Sequence, residues 1–153
     1  MKRQSFFFLC MSVALSLIGF LCGCTSNNND AATFPLKLEA ASKNLKVGQT
    51  LKMDSVNANQ WDAIFIFPPY TPMDKIEVAL KSQLSSDIKQ SKISERDDIN
   101  LLIFMQGGNI QMASAVPRNS IDFSQPIPQP LTRDRAQFIR LLADGPLTLA
   151  DSR

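Results

Sequence analysis

The chain contains no histidine at all. That removes the commonest general base, the Ser-His and Cys-His nucleophile pairs, and most zinc sites. Cysteine is nearly as scarce: Cys10, Cys22 and Cys24 all fall at the N-terminus, so the rest of the chain holds neither a disulfide nor a reactive thiol. Glycine is sparse, and Gly107-Gly108 lacks the spacing and the following Lys-Ser/Thr of a phosphate-cradling loop. Nor does one sign of charge dominate. Lys2 and Arg3 account for the whole margin of 16 basic over 14 acidic side chains. The remainder is neutral, with no electrostatic footprint for nucleic acid and no polybasic patch for anionic lipid. Glu95-Arg96-Asp97-Asp98 gathers acids, yet without the alternating ligands and glycine of a calcium loop it reads as a solvated loop. No catalytic residue, metal ligand or cofactor site emerges, and the chain reads as non-enzymatic.

What is present begins at the N-terminus. Lys2-Arg3 precedes an uncharged apolar run from Phe6 to Leu21, about 16 residues against the roughly 20 that a spanning helix needs. The run closes in Leu21-Cys22-Gly23-Cys24, and the polar flank Thr25 to Asp30 has no basic residue to stop transfer. This segment resembles a bacterial lipoprotein signal peptide ending in a lipobox, with Cys22 where Ala or Ser is more usual. The resemblance implies that residues 1–23 are removed and that Cys24 carries the lipid, in the cell envelope. Thr25 rather than Asp follows that cysteine. In a host with two membranes this implies the outer membrane, facing the periplasm; in a one-membrane host, the outer face of the plasma membrane. The tether would be acyl chains, each buried CH₂ contributing about 0.8 kcal/mol. An ordinary secretory signal or an uncleaved anchor is the other reading of the same residues.

Residues 24–33 then read as the lipidated cysteine and a flexible spacer of Thr, Ser, Asn, Asp and Ala, and residues 34–153 as one globular domain. Asn44 to Met53 reads as a short hairpin broken at Gly48-Gln49. Trp61 to Phe67 is a nearly continuous β-branched and aromatic strand, as expected when both faces are covered. Thr71-Pro72-Met73-Asp74 reads as a helix start capped by Thr71, and Met73, Ile76, Leu80 and Leu84 mark its apolar face. Ser85 to Asp98 reads as a solvated loop or a frayed extension of that helix. Ile99 to Met105 and Ile110 to Val116 form a hairpin about Gly107-Gly108. Gln125 to Pro130 is a proline-rich extended connector. Thr132 to Ala143 reads as a second helix, with Thr132 as cap and Gly145-Pro146 reversing the chain. The expected class is α+β, a small antiparallel sheet with a helix on one face and a C-terminal helix.

Trp61 is expected in the core or at its rim. Tyr70, at the joint from strand to helix, and Arg118, just past the hairpin, sit at element ends where loops carry function. They are the candidates for partner contact, expected to be removable without unfolding. The segment from Trp61 through Pro68-Pro69-Tyr70-Thr71 and the glycine-turned hairpin is similar to small bacterial lipoproteins over residues 61–123, which implies no particular activity. Two readings follow. One is a non-catalytic binding or assembly module docking an envelope protein; the other is a small-ligand-binding or carboxylate-dependent hydrolytic lipoprotein.

Overall fold

The computed structural model describes residues 28–150, with side chains from Asp30 onward. The lipobox and Cys24 lie outside the described residues. In chain order the elements are α1 (Asn28–Lys43), β1 (Thr50–Lys52), α2 (Met53–Val56), β2 (Ala63–Phe67), α3 (Met73–Leu80), α4 (Ser86–Gln90), a 3₁₀ turn (Ile93–Glu95), β3 (Ile99–Gln106), β4 (Asn109–Pro117), β5 (Leu131–Thr132), β6 (Gln137–Arg140) and β7 (Leu147–Leu149). The fold is α+β. Its centre is an antiparallel sheet ordered β4-β3-β2-β5, and a smaller antiparallel sheet is ordered β1-β6-β7.

The apolar β2 run is covered on both sides, as its sequence predicts. Ile64 and Ile66 enter one core with Trp61, Phe104 and α1's Phe34 and Leu38. Phe65 and Phe67 enter another with Ile76 and Leu80 of α3. β3 alternates in the same way, Leu102 and Phe104 one way, Leu101 and Ile103 the other. The β3–β4 hairpin turns at Gly107 and Gly108, both at positive φ, and Asp62 Oδ2 accepts from the Gly107 N–H at 2.6 Å. Just before β5 begins, Gln129 extends the ladder: its side chain accepts from Ile66 N at 3.0 Å and donates to Ile66 O.

Several sequence expectations give way to tertiary pairing. Residues 28–33, read as spacer, open α1, because Phe34 and Leu38 four residues apart anchor the helix in the core. The Asn44–Met53 hairpin does not form. Leu45 closes α1 through Ser42, while β1 pairs with β6, Thr50 opposite Ile139. The loop Ser85–Asp98 contains α4 and the 3₁₀ turn, since Ile88 and Ile93 are fully buried. Helix α3 starts one residue later than expected: Pro72 is the cap, and Thr71 Oγ1 donates instead to Pro68 O at 2.6 Å.

The C-terminal helix is absent; residues 132–143 form the end of β5, a turn and β6. Thr132 does make cap-like bonds, its carbonyl accepting from Arg135 and Ala136 N–H at 3.0 Å, but they close a turn. The Thr132 hydroxyl bonded to Asp134 holds that carboxyl below its usual range. Beyond it Phe138 and Ile139 pair with β1 and β7 rather than winding.

Candidate functional site

One broad depression, about 510 Å³, opens where the C-terminus of α1, the segment after β4 and the β6–β7 loop meet. Ser42 and Lys43 come from α1, Arg118 to Asp122 from the segment after β4, Arg140 from the end of β6, and Ala143 to Leu147 from the loop and β7. The loop is drawn in by main-chain bonds: Leu147 N–H donates to Asp122 O at 2.7 Å, and Ser124 N–H to Leu147 O at 2.8 Å.

Arg118 sits at the rim, partly exposed. Its main-chain N–H donates to Asp98 O at 2.8 Å, and its guanidinium donates to Asp97 O at 3.0 Å and Asp122 Oδ2 at 2.6 Å. The other Asp122 oxygen accepts from Asn100 Nδ2 and from Phe123 N–H, each at 2.9 Å. Burial pushes the Asp122 carboxyl up, but the bonds from Arg118, Asn100 and Phe123 outweigh it, and its pKa is lowered overall. The same ion pair, through the Asp122 hydrogen bond, raises Arg118. Arg118 is therefore an exposed rim residue whose guanidinium is oriented by hydrogen bonds to Asp97 O and the Asp122 carboxylate.

Arg140 is the residue that sequence reasoning missed, having been placed on the C-terminal helix. One terminal nitrogen donates to Ala143 O at 3.0 Å and Gly145 O at 3.4 Å. The other donates to Ser42 O at 3.2 Å and to the Ser42 hydroxyl. It thus fastens the last turn of α1, where carbonyls lack helical partners, to the β6–β7 loop. All four partner oxygens are neutral. No carboxylate pairs with Arg140 among the described residues, and its Nε is buried without a partner.

Three exposed aliphatic side chains lie in the loops that flank the depression, outside its lining. Val47, Leu141 and Leu142 are 57%, 53% and 68% exposed. Gly48 N–H donates to Arg140 O, and Arg140 N–H to Gln49 O, which brings the two loops carrying these side chains together. A faint signal for the site was legible: an arginine set among Phe138, Ile139, Leu141 and Leu142 needs a polar destination.

Tyr70 is 59% exposed and does not line the depression. It lies at the same end of the central sheet: its N–H donates to Ile93 O and Arg96 O, two residues before the carbonyl that Arg118 N–H meets. Trp61 is buried, its Nε1 donating to Asn57 O at 3.0 Å and the Arg133 guanidinium lying 5.0 Å from its ring centre. The Glu95–Asp98 cluster resolves into an exposed pair in which Arg96 holds Asp98 below the usual carboxylate range.

Among the described residues no group of three metal-ligating side chains gathers, and no helix is long and apolar enough to cross a membrane. No family model, curated protein or solved structure matches the chain.

Proposed function

We propose that the chain is a lipid-anchored cell-envelope protein, a non-catalytic binding or assembly module that holds a protein partner at the pole carrying Arg118 and Tyr70. The observation that carries this reading is the placement of α1. It begins four positions after Cys24, so a lipid there would tie its N-terminus within about 14 Å of the anchor whatever path the chain takes. The 16-residue helix then runs about 24 Å to the depression at its other end. A tether at one end and an open, arginine-lined surface at the other suit a module that presents itself to partners away from its own anchor. In a host with two membranes the anchor is placed in the outer membrane, facing the periplasm. The absence of histidine supports a non-catalytic role. So does Asp122, which is held ionised by its partners, whereas a carboxylate acid catalyst needs its pKa raised.

Intact-mass analysis of membrane-extracted protein, with pull-down after cross-linking in cells, tests the proposal. The expected result is acyl mass on Cys24, loss of residues 1–23, and partner capture that falls in Arg118→Gln and Tyr70→Ala variants still melting cooperatively. A Cys24→Ala protein that keeps acyl mass overturns the anchor; folded variants with full capture overturn the binding pole.

A further inference from the structure

We propose that α1 is a strap that releases from the body while the central sheet stays folded, and so switches the protein between a short tether and a long one. The release concerns the described residues alone. Its effect on the tether rests on the reading of Cys24 as the lipid-bearing residue.

Little of what holds α1 is its own. In its first half Asn28, Asn29, Asp30 and Thr33 rank low as helix formers, and Pro35 removes an internal bond. A helix of 16 residues is marginal in water even with better formers, so this one persists through its seat. The seat is narrow. From Asp30 to Lys43 the buried residues are Phe34, Leu38 and Ser42, one per turn along a single line, with Ala31 and Ala41 half-buried beside them. Helix α3 buries as many apolar side chains, Ile76 and Leu80, in half the length. The remaining fastenings are polar: Ser114 Oγ to Ala31 O, Asn59 Nδ2 to Asp30 Oδ2 at 3.1 Å, and Arg140 to Ser42. Such bonds exchange for water when the helix lifts, so they fix its position without deepening its seat.

The sheet beneath has support of its own. β2 pairs with β3 from Ala63 opposite Met105 to Phe67 opposite Leu101, and α3 and α4 close its far face. On the side that α1 covers, Phe104 keeps the Trp61 ring at 5.2 Å and the buried Ile64 and Leu102 when Phe34 leaves.

Docked, α1 leaves four chain steps between Cys24 and Asn28, a span of about 14 Å at most. Released, the 20 steps from Cys24 to Asn44 reach up to about 70 Å. Ser42 and Lys43 line the depression, so release also removes one of its walls. The pole is complete when the tether is short and incomplete when it is long. An occupant that touches that wall favours the closed strap by its differential contact with the two states.

Hydrogen exchange of the full chain in neutral detergent, with and without Leu80→Ala, tests the release. In the parent, amides of residues 36–43 should exchange at least about a hundredfold faster than those of β2 and β3, after correction for intrinsic rates. Leu80 packs under α3, outside the strap's seat. Leu80→Ala should therefore speed exchange in β2 and β3 at least about thirtyfold and leave α1 unchanged, because the open-strap state keeps the Leu80 contacts. If Leu80→Ala does not fold, Ile88→Val gives the same comparison at a few-fold effect on the sheet. Amides of α1 that exchange as slowly as the sheet, or that speed up in step with it in the variant, overturn the strap. If the strap opens as expected and Cys24 carries no lipid, the release stands and only its effect on the tether falls.

Discussion

The two faces of the central sheet are closed by different means. Beneath α3 and α4 the contacts are apolar: Ile76, Leu80, Leu84, Ile88 and Ile93 close over Phe65 and Phe67, whose rings stack 5.9 Å apart. The opposite face carries an aromatic core in which Phe104 meets Phe34 and Trp61 edge to face. It also carries all four polar residues that are buried among the described residues, Ser42, Asn57, Asn100 and Ser114. Apolar burial is non-directional and tolerates small slips. Buried polar groups do not, because each must meet its partner. The α3 face therefore serves as a platform, while the α1 face is jointed at fixed points, and the depression opens at the seam of the jointed side.

The sharpest way to break that contrast is at Ser114. Pro35 sits inside α1 and has no N–H to give the carbonyl of Ala31, four residues earlier. Ser114 Oγ supplies the missing donor, reaching Ala31 O at 3.0 Å from β4. Ser114→Ala should leave that carbonyl unpaired and cost about 1–3 kcal/mol in urea unfolding. Adding Pro35→Ala restores a helical N–H to the same carbonyl, so the double variant should regain most of the loss. A double variant no better than Ser114→Ala would show that the joint is ordinary packing.

Asp122 is the second joint and has a pH signature. Its pKa is lowered in the fold, so its stabilisation is complete above the unfolded value, about 3.9, and is lost as pH falls through the lowered folded value. Asp122→Asn should cost about 1–2 kcal/mol at pH 7, less than a buried ion pair because Arg118 is 41% exposed. The gap between variant and parent in urea unfolding should narrow as pH is taken from 5 down to 2. A gap constant with pH would mean that shape, not charge, matters at Asp122.

The platform was far more legible in the sequence than the jointed side, and the reason is physical. The apolar strand Ala63–Phe67 is legible from its own residues, the hairpin Ile99–Pro117 from its strands and the Gly107-Gly108 turn inside it, and the α3 stripe specifies its own face. The jointed side depends on distant partners. α1 begins in Asn, Asp, Ala and Thr and contains a proline, so local propensity argues against it; Phe34, Leu38 and a serine 83 positions from Ala31 decide otherwise. Phe138-Ile139-Arg140-Leu141-Leu142 fits a helical face and a strand about equally, and only β1 and β7 select the strand. Arg118 could be singled out as the residue after the hairpin. Arg140 could not be placed beside it, because two loops and the end of a helix must first be assembled.

The smallest effect is expected at Tyr70, which belongs to the platform side and is the outlier there. It sits at φ +59 in the turn Pro68-Pro69-Tyr70-Thr71, where the left-handed region favours glycine. A tyrosine there costs about 1 kcal/mol or more relative to an unstrained residue. Its side chain is largely in solvent, so little packing offsets that cost. The bonds that fix the turn come from its main-chain N–H and from Thr71 Oγ1, both of which glycine at position 70 would leave in place. Tyr70→Gly should therefore leave stability unchanged or raise it by up to about 1 kcal/mol, after the added flexibility of the unfolded chain is subtracted. Thermal unfolding and partner capture measured together sharpen the contrast. A variant that is at least as stable yet captures less would mark the ring as a binding group held at a cost to the fold. A clear loss of stability would show that the ring packs across the sheet end, and would return Tyr70 to the platform as a structural residue.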